Sequence, residues 1–174
     1  GQTYTSTQYY MDARLAAEGT IYARWEKAKQ VTVKYLFENL PGDRSGTYLD
    51  GKYYTENSAY TQRLWADENT TTWSAKSYDG FTVKSGYSNI YLNNNTATFY
   101  YNRNTYTLTF MSNNVSDKTQ SFAFAQSIAD AAYTPVNGPA NHTFGGWYTT
   151  KEGFDGTEFS FAGATMPAYN LVVY

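Results

Sequence analysis

Cysteine is absent from this chain of 174 residues, histidine occurs once and proline four times. Without cysteine no disulfide framework can staple the fold and no thiolate is available for chemistry. With His142 as the sole imidazole, a zinc site would need carboxylates for most of its ligands, which is not how zinc is usually held. No Gly-x-Ser-x-Gly turn accompanies His142, so nothing supports a Ser-His-Asp triad, and neither a calcium-binding EF-hand loop nor a phosphate-cradling glycine motif is present. Asp43, Asp50, Asp67, Glu68, Asp79 and Asp155 all fall in expected turns, where acidic side chains serve the local backbone. The expectation is therefore no catalytic residue, no cofactor-binding residue and no metal ligand.

Charge is also sparse. Charged residues make up 16% of the chain, the formal net charge is −2, and no two Lys or Arg residues are adjacent. Duplex nucleic acid draws much of its affinity from neutralised phosphates, so it is not an expected partner. No apolar run approaches the roughly 20 residues that a membrane-crossing helix requires, so direct membrane insertion is not expected.

What the chain has instead is rings. Aromatics account for 19% of residues, with 19 Tyr, 10 Phe and 4 Trp, yet the mean hydropathy is −0.61. Amphipathic rings and β-branched residues suit a pleated, half-buried surface. Val31, Val33, Tyr35 and Phe37 alternate with Thr32, Lys34, Leu36 and Glu38, a period of two with Leu36 as its one apolar lapse. Asn39 to Asp43 breaks that strand, and Asp50-Gly51 predicts a two-residue hairpin turn. Ser58 to Trp65 reads as a short helix with Tyr60, Leu64 and Trp65 inward, and Asp12 to Ala17 is also helix-compatible. Phe81 to Val83 is a strand between two glycine turns, and Ala97, Phe99 and Tyr101 share one face of another. Asn102-Arg103-Asn104 reads as a short hinge. Beyond it Tyr106, Leu108 and Phe110 alternate, Phe122 and Phe124 continue a strand, and Gln126 to Ala132 reads as a small helix ended by Pro135 and Gly138. Thr143 to Tyr148 reads as a strand whose Gly145-Gly146 pair admits a neighbouring backbone beside Trp147.

Two segments echo one another. Gly19-Thr20-Ile21-Tyr22-Ala23-Arg24-Trp25 looks like the closing strand of one unit, and Leu171-Val172-Val173-Tyr174 like the start of the same strand in another. This predicts a window from a longer tandem array. Tyr106-Thr107-Leu108-Thr109-Phe110, Phe144-Gly145-Gly146-Trp147-Tyr148 and Tyr22-Ala23-Arg24-Trp25 together resemble the Listeria-Bacteroides repeat, the internalin B-type repeat. Ser112-Asn113-Asn114 stands where glycines usually follow the first strand of that repeat. The middle segment, from Val31-Thr32-Val33-Lys34-Tyr35 to Phe99-Tyr100-Tyr101, is more distantly similar to mucin-binding-protein-type repeats.

The resemblance implies an α+β fold: tandem small β-grasp (ubiquitin-like) domains, mostly strand with one short helix each. It implies that residues 1–26 are the tail of a preceding repeat, 27–103 a mucin-binding-protein-like domain and 104–174 a B-repeat domain. It further implies a non-enzymatic stalk or adhesin module of a Gram-positive surface protein, extracellular and anchored to the cell wall in the full-length protein. Neighbouring repeats of the same chain are then its partners, together with a host glycan, mucin or protein receptor.

The rival class is a carbohydrate- or mucin-binding module, since rings can stack on sugar faces. Trp25 and Trp147 are assigned to cores, while the less regular Trp73 and Tyr87 are the candidate ligand-binding residues. Sequons at Asn69, Asn94, Asn114 and Asn141 are read as chance in so Asn- and Thr-rich a chain. Lys34, Lys52, Lys84 and Lys118 lie near strands, where Lys-Asn or Lys-Asp isopeptide cross-links are sometimes found in disulfide-free stalks.

Overall fold

Alternating apolar residues become strands where one face can be buried, and strands dominate the regular structure of the described residues. The computed structural model describes residues 12–15, 21–24, 28–65, 72–113, 115–136, 138–153 and 157–174. Twelve strands are present among them: β1 (Asp12–Leu15), β2 (Ile21–Arg24), β3 (Ala28–Glu38), β4 (Thr47–Leu49), β5 (Lys52–Trp65), β6 (Trp73–Ser74), β7 (Phe81–Val83), β8 (Asn89–Ile90), β9 (Thr96–Arg103), β10 (Thr105–Ser112), β11 (Val115–Ala123) and β12 (Leu171–Val173). The one helical element among the described residues is a single 3-10 turn, Ala129–Ala131. The fold is therefore mainly β.

Strands β1 and β2 pair antiparallel, as do β6 and β8. A five-stranded sheet runs in the order β4-β5-β3-β9-β7, and a three-stranded sheet in the order β11-β10-β12. In the smaller sheet β10 and β11 form an antiparallel hairpin, and β12 lies parallel to β10 with Leu108 opposite Leu171 and Phe110 opposite Val173. Two compact units interleave along the chain, one drawn from Gly1–Leu36, Glu56–Ala75 and Lys84–Tyr100, the other from Phe37–Thr55, Lys76–Val83 and Tyr101–Tyr174.

In the first unit Val31, Val33 and Phe99 are fully buried, and the Tyr35 ring stacks on Phe99 with centroids 5.6 Å apart. Leu36, which breaks the alternation, is buried as well, so β3 is apolar on both faces at that point. In the second unit Leu108, Phe110, Ile128, Trp147, Phe161, Met166 and Val173 form one core. Phe110 is its centre, meeting Tyr133, Trp147 and Phe161 at 4.9, 4.9 and 5.8 Å. Trp147 thus occupies the core position expected of it, whereas Trp25 lies outside the described residues.

Four local expectations are corrected. Residues Ser58 to Trp65 are not a helix but the far half of the 14-residue strand β5, and Asp12–Leu15 is a strand. The expected helix over Gln126 to Ala132 shortens to the 3-10 turn. The Gly-Gly-Trp segment forms no ladder: Tyr148 exchanges both backbone hydrogen bonds with Tyr174, Trp147 O accepts from Phe159 N, and an isolated bridge joins Tyr148 to Glu158. Nor do its glycines admit a close backbone, because a side chain at Gly145 or Gly146 would meet only the Tyr148 ring and its hydroxyl, at 3.9 Å. Gly146 is required by its φ of +134°, a region that side chains rarely enter.

Burial, reinforced by the neighbouring Tyr78, pushes the Tyr101 hydroxyl from its ordinary value of 10.0 up to about 12. Burial and the adjacent Asp117 carboxylate push Tyr133 up to about 12 as well. A raised folded-state pKa means that the fold favours the neutral phenol. That stabilisation is complete below pH 10.0 and lost as pH rises through about 12. Alkaline unfolding followed by far-UV circular dichroism should therefore coincide with tyrosinate absorbance in this window, and Tyr101→Phe should move its midpoint upward. A transition unmoved by Tyr101→Phe would show that this phenol does not drive it.

Candidate functional site

Both sequence-derived ligand candidates lie in the first unit. Trp73 belongs to β6, paired with Ile90 of β8, and is half-buried; its indole Nε1 is buried and has no acceptor among the described residues. Tyr87 is half-buried with its ring edge-on to Tyr100, centroids 4.9 Å apart. The rings of Trp73 and Tyr87 make no contact with each other among the described residues. His142 is exposed, with Nδ1 2.9 Å from the Ala140 carbonyl oxygen. Lys34 and Lys52 meet Glu56 and Glu38 at 2.8 and 2.9 Å, and Lys118 lies 4.5 Å above the Tyr133 ring. Asn94 and Asn141 occupy turns at φ of 47° and 63°, while Asn69 and Asn114 lie outside the described residues.

A cleft lies in the second unit, which holds neither of the two candidates Trp73 and Tyr87. Its volume is about 670 Å³, within the size range of small-molecule sites. One wall is the loop after β3. There Asp43 N donates to Leu40 O, with Pro41 and Gly42 at the two central positions and Gly42 at φ +92°, the form of a type II turn. Asp43 Oδ1 then accepts from Ser45 N at 2.9 Å, and Asn39 Nδ2 donates to Ser45 O at 2.8 Å. The Ser45 hydrogen bonds hold the Asp43 carboxyl below the usual range. The second wall is the hairpin of β4 and β5, whose turn is Asp50-Gly51 at φ 48° and 84°, as its sequence predicts. Tyr48 and Tyr53 face each other across it with centroids 5.0 Å apart, and Tyr48 is 63% exposed.

The floor carries Arg103 and Thr105. Arg103 is no hinge residue: β9 runs through it, β10 begins two residues later, and only Asn104 lies between. Its backbone N–H donates to Glu38 Oε2, Nε to Glu38 O and Nη1 to Phe124 O, at 2.9, 3.0 and 2.8 Å. Lys52 Nζ shares the same Glu38 oxygen. Burial pulls the Arg103 pKa down and Glu38 opposes that shift, yet the guanidinium stays charged at any physiological pH. Asn104 is equally fixed, its N–H donating to Gly80 O and its carbonyl accepting from Phe124 N.

Arg103→Ala should destabilise the second unit by about 1–3 kcal/mol, because the Glu38 and Phe124 carbonyls both lose a charged donor. Amide exchange at Asn104 and Phe124 should accelerate more than exchange at Leu108. Uniform acceleration would show that Arg103 does not act locally.

Comparison with known proteins gives no match: no protein-family model, curated sequence or solved structure matches this chain.

Proposed function

We propose that the chain is a non-enzymatic stalk or adhesin module of a Gram-positive cell-surface protein, extracellular and anchored to the cell wall in its full-length form, which spaces or presents a binding domain. The observation that carries this reading is the parallel placement of β12 beside β10. A hairpin whose first strand is flanked by a parallel closing strand is the sheet wiring of a β-grasp unit, the fold implied by the resemblance of residues 104–174 to B-repeats. On this reading the counterpart of the crossing helix is the one 3-10 turn among the described residues, Ala129–Ala131.

The wiring has a mechanical consequence. Tension applied at the start of β10 and the end of β12 pulls two parallel neighbours in opposite directions, so their hydrogen bonds are loaded together in shear. Tension across Thr105 and Ala123, which face each other in the β10–β11 hairpin, opens one bond at a time. The native chain has no cysteine, so pairs of introduced thiols attach handles uniquely. Force spectroscopy on the Thr105→Cys/Tyr174→Cys variant should give a clearly higher unfolding force than on Thr105→Cys/Ala123→Cys. Equal, low forces in both geometries would remove the mechanical basis of the stalk reading.

The alternative, a carbohydrate-binding module using exposed aromatics, draws more support from the cleft beside Tyr48 than from Trp73 or Tyr87. In the cleft the exposed Tyr48 ring adjoins polar groups, whereas Trp73 and Tyr87 are half-buried.

A further inference from the structure

The cleft keeps unspent donors. Asp43 Oδ1 accepts from Ser45 N, and Glu38 Oε2 accepts from Lys52 and the Arg103 backbone, so one oxygen of each carboxylate is engaged. Arg44, the remaining guanidinium N–H groups of Arg103, and the hydroxyls of Tyr48 and Tyr53 have no acceptor among the described residues. Of the charged groups lining the cleft, Arg44, Lys52 and Arg103 outweigh Glu38 and Asp43 by one positive charge. Such a site favours a ligand rich in acceptors and bearing negative charge.

Its shape selects further. The exposed Tyr48 ring, tilted 54° against Tyr53, offers an amphipathic face beside the cationic groups, suited to the C–H face of a pyranose. A long aliphatic anion would leave that face unused. The walls are already ordered by the type II turn, the Asp43–Ser45 bonds and the Asp50-Gly51 hairpin, so little ordering entropy opposes binding.

We propose that this cleft binds an acidic saccharide, with a pyranose ring against Tyr48 and its carboxylate reaching Arg44 and the free guanidinium edge of Arg103. Binding is non-covalent and requires no cofactor. It does not depend on the stalk reading: a chain that unfolds in shear and ignores saccharides loses only this inference, and a chain that binds them without mechanical resistance loses only the other.

The test is a titration of the isotope-labelled chain, followed by amide shifts, with three probes: a hyaluronan tetrasaccharide, sialyllactose and lactose. The two acidic probes carry their carboxylate on different sugars and so distinguish a uronic acid from a sialic acid as its source. At least one acidic probe should shift amides of residues 39–53 and 103–105, while lactose at equal concentration should shift them much less. Tyr48→Ala and Arg44→Gln, both outside the packed core, should each weaken binding about tenfold, as expected for loss of a stacking face or a charge-assisted contact.

The proposal is overturned if neither acidic probe shifts the cleft amides, or if the shifts fall on Trp73 and Tyr87 instead. It is overturned as to charge if lactose binds equally well and Arg44→Gln changes nothing. Oligoglutamate displacing the saccharide at equal concentration would assign the cleft to an acidic peptide instead.

Discussion

Gly80→Ala should cost the second unit about 2–5 kcal/mol, read as a lower urea midpoint at unchanged m-value. Two independent causes add. Gly80 has φ of +77°, where an L-residue is strained by about 1–2 kcal/mol. In addition, a Cβ at Gly80 would stand 2.2 Å from Phe124 Cδ1 and 2.3 Å from Cγ, and forcing extra volume into a packed site costs about 1–3 kcal/mol. Phe124 cannot simply swing aside. Its ring meets Phe81 edge-on at 5.5 Å, its N–H is bound to Asn104 O, and its carbonyl accepts from Arg103.

Gly86 supplies the control, because its φ of +85° is similar but nothing lies within 4 Å of the position a methyl group would take. Gly86→Ala should show the backbone strain alone, about 1–2 kcal/mol. In a Phe124→Ala background Gly80→Ala should fall to that same value, giving a coupling of more than about 0.5 kcal/mol between the two sites. Equal costs for Gly80→Ala and Gly86→Ala would show that Phe124 yields and that its close approach to Gly80 fixes nothing.

The parts of the fold legible in the sequence are those where one residue type has one physical reason. Val31, Val33 and Tyr35, and likewise Ala97, Phe99 and Tyr101, alternate because one face of each strand is buried, and all six are buried. Asp50-Gly51 turns the chain because both positions take positive φ. The segment Ser58 to Trp65, a strand where a helix is expected, shows where pattern becomes ambiguous. Tyr60 and Leu64 are four residues apart, which places them on one face of a helix and equally on one face of a strand. Tyr54 lies on that same strand face, is 1% exposed, and extends the run to a length that only β5 accommodates.

The cleft was illegible for a different reason. Arg103 reaches Glu38 across 65 residues of sequence, and its neighbours Asn102 and Asn104 carry the composition of a linker. Tyr48 looks like any hairpin residue until Tyr53, the Pro41-Gly42 turn and Arg103 stand around it. Only the local parts of the site, Leu40-Pro41-Gly42-Asp43 followed by Ser45 and the Asp50-Gly51 hairpin turn, carried readable turn signals.

Trp147→Ala should be the most destabilising single substitution of the three-stranded sheet's core, at about 3–5 kcal/mol. The indole is 6% exposed and meets Phe110, Tyr133 and Phe144 at 4.9, 5.5 and 5.3 Å, so its removal leaves a cavity against the central ring of the core. Its Nε1 also donates to Tyr133 O at 2.9 Å, a carbonyl that alanine would orphan. Trp147→Phe separates the two effects. It keeps a ring beside Phe110 and loses the donor, so it should cost about 1–3 kcal/mol. Urea titration by circular dichroism measures both. The ordering also decides what the Gly-Gly-Trp sequence is for. A tryptophan that served a ligand would leave stability nearly unchanged when truncated and would abolish binding. If Trp147 is the side chain that Phe110, Tyr133 and Phe144 close around, truncation unfolds the second unit, and saccharide binding in the cleft is lost only with the fold. Trp147→Ala that stays folded with an unshifted midpoint would make Trp147 a candidate ligand contact after all.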